Sequence, residues 1–267
     1  MTIKVIMRGG GDLASGVAAR LHRVGMAVLI AELPQPLVVR RLVAFAEAVY
    51  ANQVSVEDIT AQLVDSVKMV DTVLEKHFIP VMVDPQLNNL AVFSPDVLVD
   101  ARMLKLKPKT GMDIAPLVIG LGPGFMVGEN CHAVIETLRG HHLGRVIWEG
   151  QAAADTGTPE VVAKQQADRV LRAPADGEVR TFAKIGDKII HGQLIAEVGH
   201  VQVKAPFDGV LRGMVKAGLA AKSGMKIGDL DPRNDPKYSH EISDKALAVG
   251  GGVLEAILSQ PDLRAKL

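Results

Sequence analysis

A stretch near the C-terminus occurs twice, 32 residues apart, and it constrains the fold more than any other feature of the chain. "APADGEVRTFAKIGDKIIHGQLIAEV", from Ala173, is echoed by "APFDGVLRGMVKAGLAAKSGMKIGDL", from Ala205. Pro174 matches Pro206, Asp176 matches Asp208, Gly177 matches Gly209, Gly186 matches Gly218 and Gly192 matches Gly224, with Val, Ile and Leu filling the intervals. Each copy therefore reads as short strands separated by matched turns. A unit of this size does not bury its own apolar face, so two copies packed about a pseudo-two-fold are expected.

That arrangement resembles the biotinyl/lipoyl-like barrel-sandwich fold, and residues 169–233 are assigned to such a domain. Carriers of that fold display a modified lysine on the hairpin between the halves. Here the hairpin is "EVGHVQVKAP", with its tip at Gly199 and His200, no Met-Lys-Met motif, and Lys204 placed where a strand begins. The expected module serves docking and has no carrier lysine.

The N-terminal part has a different logic. A strand from Ile3 to Met7 runs into "RGGGDLASGVAARLHRVG", and a second strand, Ala27 to Ala31, ends at Glu32. Gly9, Gly11 and Ala14 satisfy Gly-x-Gly-x-x-Ala, in which the glycines permit a tight turn and close ligand approach, and an anion sits at the helix start. Glu32 follows Gly11 by 21 residues, where a ribose-binding acid belongs. These features predict an α/β fold with a Rossmann-like parallel sheet over 1–168, although three glycines also make a tight turn without any dinucleotide. After Pro34 and Pro36, Val38, Leu42, Phe45 and Val49 recur at helical spacing, with Arg40 and Arg41 either solvated or clamping an anion. Asp58 to His77 reads as another helical region.

Three later strands lie around Leu98, Ile119 and Val134. In an open parallel sheet, ligands bind outside the carboxyl ends of the strands. The candidate cofactor-binding set is therefore Arg8, Gly9, Gly10, Gly11, Asp12 and Glu32 together with Asp100, Arg102, Gly122, Pro123, Gly124, Glu136, Arg139 and His141. Cys131 is the candidate nucleophile, since a thiolate beside His132, His141, His142 and Arg139 is activated by positive charge. One cysteine makes no thiolate-rich metal centre, so no metal is expected. A straight strand places Cys131 ~16 Å from Glu136, which ranks Arg139 and His141 ahead of it.

The 30 Lys and Arg balance the 30 Asp and Glu, so no global field recruits nucleic acid or an anionic membrane. A single cysteine fits a reducing compartment, and "MTIKVIMRGG" lacks the apolar core of a signal peptide. With no apolar run near ~18 residues, the expected location is the cytoplasm.

"RGGGDLASGVAARLHRVG", "RRLVAFAEAVY", "VDARM", "IGLGPGF", "AVIETLRGHHLGRVIW", "TGTPE", "LRAPADG", "IGDLDPRNDP" and "ISDKALAVGGGVLEAIL" occur in that order. Together they resemble the YqeB family of accessory proteins of selenium-dependent molybdenum hydroxylases. The resemblance implies an XdhC-like maturation role: binding a nucleotide or molybdopterin-type cofactor and assisting its modification with selenium or sulfur, or its insertion into an apo-hydroxylase of the xanthine-dehydrogenase-like type. Where the family often carries a cysteine before "ISDKA", this chain has Ser239, His240 and Glu241. The alternative is an NAD(P)-dependent oxidoreductase, but there is no Tyr-x-x-x-Lys and no clear general base. The residues leave open whether the chain is an enzyme and whether it forms a homo-oligomer. Finally, 234–267 reads as a loop and a helix N-capped by Ser243, whose Gly250, Gly251 and Gly252 predict close packing against the N-terminal domain.

Overall fold

The computed structural model describes residues 2–108, 111–155 and 167–267. Two units emerge: the first comprises Met1–Pro36, Ala44–Asp155 and Ile242–Leu267, the second Leu37–Val43 and Thr156–Glu241. The "TGTPE" string lies outside the described residues.

The first unit runs β1 (Lys4–Arg8), α1 (Asp12–Arg23), β2 (Ala27–Glu32), α2 (Ala48–Ala51), β3 (Gln53–Val56), β4 (Ile59–Val64), α3 (Val70–Glu75), β5 (Ile79–Val83), α4 (Leu90–Phe93), β6 (Val97–Asp100), β7 (Leu117–Leu121), β8 (Ala133–Ile135) and β9 (Val146–Ile147). These strands form one nine-stranded sheet in the order β3-β4-β5-β2-β1-β6-β7-β8-β9. From β4 to β8 every neighbouring pair is parallel, whereas β3 pairs antiparallel with β4 and β9 with β8. The central strands are buried on both faces, Ile6, Leu29, Val81, Leu98 and Ile119 all being nearly inaccessible, which is why they read as continuous apolar runs.

The C-terminal helices α5 (Asp244–Leu258) and α6 (Pro261–Arg264) also belong to this unit. Ser243 caps α5 by accepting the Ala246 N–H. The glycines of α5 let backbones touch: a Cβ at Gly250 would lie 3.0 Å from the Gly16 carbonyl oxygen of α1, and one at Gly252 2.1 Å from the Gly144 carbonyl oxygen.

The second unit contains β10 (Val170–Arg172), β11 (Gly177–Thr181), β12 (Lys188–Ile189), β13 (Leu194–Val198), β14 (Val201–Lys204), β15 (Gly209–Met214), β16 (Ala220–Ala221) and β17 (Lys226–Asp231). They make two four-stranded sheets, β10-β17-β15-β12 and β14-β13-β11-β16. Advancing the first copy of the repeat by its offset turns β11, β12 and β13 into β15, β16 and β17, so each sheet mixes strands from both copies. A shared core of Val179, Ile195, Val198, Leu211, Ile227 and Leu230 lies within this unit. Leu37–Val43 belongs with it: the Arg41 guanidinium donates to the Met214 carbonyl oxygen at 2.9 Å, and Met214 N–H to the Val39 carbonyl oxygen at 2.8 Å.

Two expectations are corrected. The first unit is not a Rossmann-like parallel sheet: it is mixed, with antiparallel edges, and the links from β6 to β7 and from β7 to β8 carry no α-helix among the described residues. Those links hold Pro108, Pro116 and Pro123, each of which restricts its neighbourhood against helix. The second unit is not a biotinyl/lipoyl-like barrel-sandwich but two separate antiparallel sheets, since no strand pairing joins them among the described residues. Two helical readings also fail. Asp58 to His77 contains the β3–β4 hairpin's second strand before a short helix, and the helical spacing from Val38 is broken into short turns.

Candidate functional site

The carboxyl ends of β5, β2, β1, β6, β7 and β8 lie side by side in that order, which gathers most of the sequence-predicted residues along one edge. Gly9 follows β1 with φ +98, a conformation that glycine adopts without strain. The Glu32 carboxylate at the end of β2 turns back on the glycine turn, accepting the Gly10 N–H at 2.7 Å and its neighbour Leu33's N–H at 2.7 Å. Glu32 is thus buried and engaged with backbone. The Gly10 carbonyl oxygen accepts from the Ala46 N–H at 2.9 Å and from the Ser15 hydroxyl at 3.2 Å, and Ser15 Oγ in turn accepts the Phe45 N–H at 2.8 Å. Ala44 to Ala46 therefore cover one side of the turn, a contact that nothing in the sequence signals.

At the centre of the edge, Arg8 ends β1 and Arg102 follows the end of its neighbour β6 by two residues. Asp100, wholly buried, receives Arg102 in a bidentate pair, Nε at 2.8 Å and the terminal nitrogen at 2.6 Å. The Arg102 stem lies against Gly9, 3.6 Å from where a Cβ would be. Arg8 donates to the Pro85 carbonyl oxygen at 2.8 Å. Burial, and then the nearby Arg102 charge, hold the Arg8 guanidinium below its ordinary range, while Asp100 and Asp84 oppose that shift. Asp84 itself caps the turn after β5 by accepting the N–H groups of Asn88 and Asn89 at 2.8 and 2.9 Å. Gly11 caps α1 in an extended conformation, and Asp12 opens the helix.

The second glycine turn stands apart from the first. Segment Ala101–Leu106 runs between them: a Cβ on Gly122 would lie 3.4 Å from Met103 Cε, and one on Gly124 2.5 Å from the Leu104 carbonyl oxygen. Pro123 is half-buried between these glycines. Glu136, after β8, is consumed by backbone, accepting the N–H groups of Leu138 and Ala153 at 2.7 and 2.8 Å. Arg139 forms a bidentate pair with Asp244 at the start of α5, a partner the sequence did not suggest. His141 and His142 are exposed and stack edge to face with ring centroids 5.2 Å apart.

Cys131 lies at the amino end of β8, the far end from Glu136. It is fully buried in the core beside Val118, Phe125 and Val134. Burial pushes its thiol up to about 11, with a backbone hydrogen bond to Gly120 acting in the opposite direction. At neutral pH it carries its proton and packs as a small apolar group. Among the described residues no group of three or more His, Cys, Asp or Glu is placed to hold a metal ion. No helix there is long and apolar enough to cross a membrane.

Fold and site together define a two-unit protein whose first unit carries an arginine-bearing carboxyl edge on a mixed α/β sheet. Over 254 residues, 95% of its length, the chain is 47% identical to the uncharacterized protein YqeB of Escherichia coli K12 and is its homologue. It spans about half of that relative, 47% of its length. No protein-family model matches the chain. Among solved structures, an aspartoacylase family protein from Mesorhizobium loti is 9% identical over 86% of this chain and 84% of its own, with a TM-score of 0.26. The ectoine utilization protein EutE of Ruegeria pomeroyi with product bound is 12% identical, covering 86% and 85%, at 0.29. A succinylglutamate desuccinylase from Silicibacter sp. TM1040 is 14% identical, covering 86% and 84%, at 0.26. At such scores no shared activity follows.

Proposed function

We propose that the β1–β6 edge binds the anionic group of a nucleotide or molybdopterin-type cofactor, and that the chain is an accessory protein in maturing a molybdenum hydroxylase. One observation carries the ligand half of this reading: Arg8 and Arg102 sit at adjacent strand ends beside Gly9, with Arg102 oriented by the buried Asp100. The Arg102 charge acts against that of Arg8, the carboxylates of Asp100 and Asp84 oppose the effect, and a bound anion would add to what those carboxylates do. The N-terminus of the twelve-residue α1 adds its dipole to the same edge.

The donor set fits a phosphate or similar anion. It fits a ribose diol at Glu32 poorly, because both carboxylate oxygens already accept backbone N–H groups. Arg8 and Arg102 would hold and orient the cofactor; any metal-centred chemistry would be the cofactor's own. The ordered strings from "RGGGDLASG" to "ISDKALAVGGG", through which the chain resembles the YqeB family of accessory proteins, are what supports the pathway half.

The test is maturation of the hydroxylase in cells carrying Arg102→Ala in place of the natural chain. Loss of one charge-assisted contact predicts about a tenfold or greater fall in active hydroxylase at equal levels of both proteins. Normal maturation with Arg102→Ala would overturn the proposal.

A further inference from the structure

We infer a second binding site in the first unit, at the amino edge of the sheet: a solvent-open pocket of ≈ 760 Å³ between α4 and the starts of β6 and β7 that takes a small, neutral heterocyclic amide. It lies at the opposite end of the strands from Arg8 and Arg102, so it stands or falls independently of the function proposed above. Its volume is within the range of about 300–1,000 Å³ typical of small-molecule sites.

Leu90, Pro95, Ile114 and Pro116 supply apolar walls, and His132, Asp96 and Asp113 supply the polar groups. His132 is fixed by two backbone bonds to one residue. Its N–H donates to the Val118 carbonyl oxygen at 2.8 Å, and its Nδ1 accepts the Val118 N–H at 2.9 Å. With Nδ1 committed as an acceptor, the neutral ring carries its proton on Nε2, at the edge turned away from Val118. Burial lowers the affinity of this imidazole for a second proton, so the donor stays neutral.

Asp96 is already satisfied, accepting the Lys4 N–H at 2.9 Å and the Lys266 ammonium at 2.5 Å. Asp113 is exposed. Two carboxylates in the lining disfavour an anion. A cation would leave the Nε2–H unmatched. A neutral cyclic amide presents a carbonyl to His132 Nε2–H and an N–H to Asp113, while its ring covers the proline and aliphatic walls.

The probe is 2-pyridone, titrated into the full chain and followed by ¹⁵N NMR of the imidazole nitrogens. A saturable shift at His132 Nε2 is expected. Ala91→Trp, on an exposed residue of the lining, should weaken binding at least about tenfold by filling the space. Asp113→Asn should weaken it several-fold, and circular dichroism should confirm that both variants fold. Absence of a saturable shift at His132, unchanged affinity in Ala91→Trp, or displacement of the probe by benzoate at equal concentration would each overturn the assignment.

Discussion

The carboxylate of Glu32 accepts the backbone N–H of Gly10 at 2.7 Å, so the acid at the end of β2 braces the glycine turn at the end of β1. Truncating it strands a buried donor and removes the second bond to Leu33. Glu32→Ala should cost about 1–3 kcal/mol in urea unfolding, and Glu32→Gln, which keeps an acceptor, clearly less. Equal loss in both variants would show that the position needs both carboxylate oxygens as acceptors, since Gln keeps the shape but turns one of them into a donor.

Methyl groups added at the α1–α5 contact and on the open face of α5 should act in opposite ways. A Cβ on Gly16 of α1 would lie 2.5 Å from Ala246 Cβ, so Gly16→Ala must push α1 and α5 apart, at about 1–3 kcal/mol. Gly251 meets nothing within 4 Å, and Gly251→Ala should stabilise the helix by up to about 1 kcal/mol. Thermal unfolding of the two variants checks both signs.

Cys131 should be inert in the folded protein. Its thiol is buried and held at about 11, against 9.0 for an unperturbed cysteine. Iodoacetamide at neutral pH should label it only after unfolding. The folded state keeps this proton longer than the unfolded state. Its effect on stability is therefore nil well below pH 9.0, and stability is lost as pH rises from there towards about 11. A denaturation midpoint that rises over that interval for the natural chain relative to Cys131→Ala would contradict this.

The Arg139–Asp244 pair is geometrically good but exposed, Asp244 being 73% accessible in its side chain. Screening and side-chain entropy leave such pairs worth about 0–1 kcal/mol. Asp244→Asn should shift stability by no more than that, and the shift should shrink in high salt.

What the sequence made legible were features encoded over short spans. The repeat predicted the two matched strand sets, and the order of strand, glycine turn, helix and strand placed Glu32 at a strand end, where it reads as a ribose-binding acid although its oxygens accept the N–H groups of Gly10 and Leu33. The β3–β4 hairpin escaped because its turn uses Glu57 at φ 53, where glycine or asparagine would have marked a positive φ. Val54, Val56, Ile59 and Ala61 do alternate, but the helical spacing further on masked it. Arg40 looked like a solvated residue or a ligand clamp; in the structure it is buried and donates to the carbonyl oxygens of Tyr238 and Glu241, partners some 200 residues away that no local pattern reveals. Sheet class was misread for the same reason. The helix that packs on α1 comes from the far end of the chain, α5, and not from a crossover between strands.

The central claim is that Arg8 and Arg102 make the β1–β6 edge an anion site for a cofactor. The most direct measurement is native mass spectrometry of the protein purified from cells that make molybdenum cofactor, compared with Arg102→Ala prepared identically. The account predicts a retained anionic small molecule on the natural chain and its loss from the variant. Retention of the same molecule by both, or none by either, would contradict it.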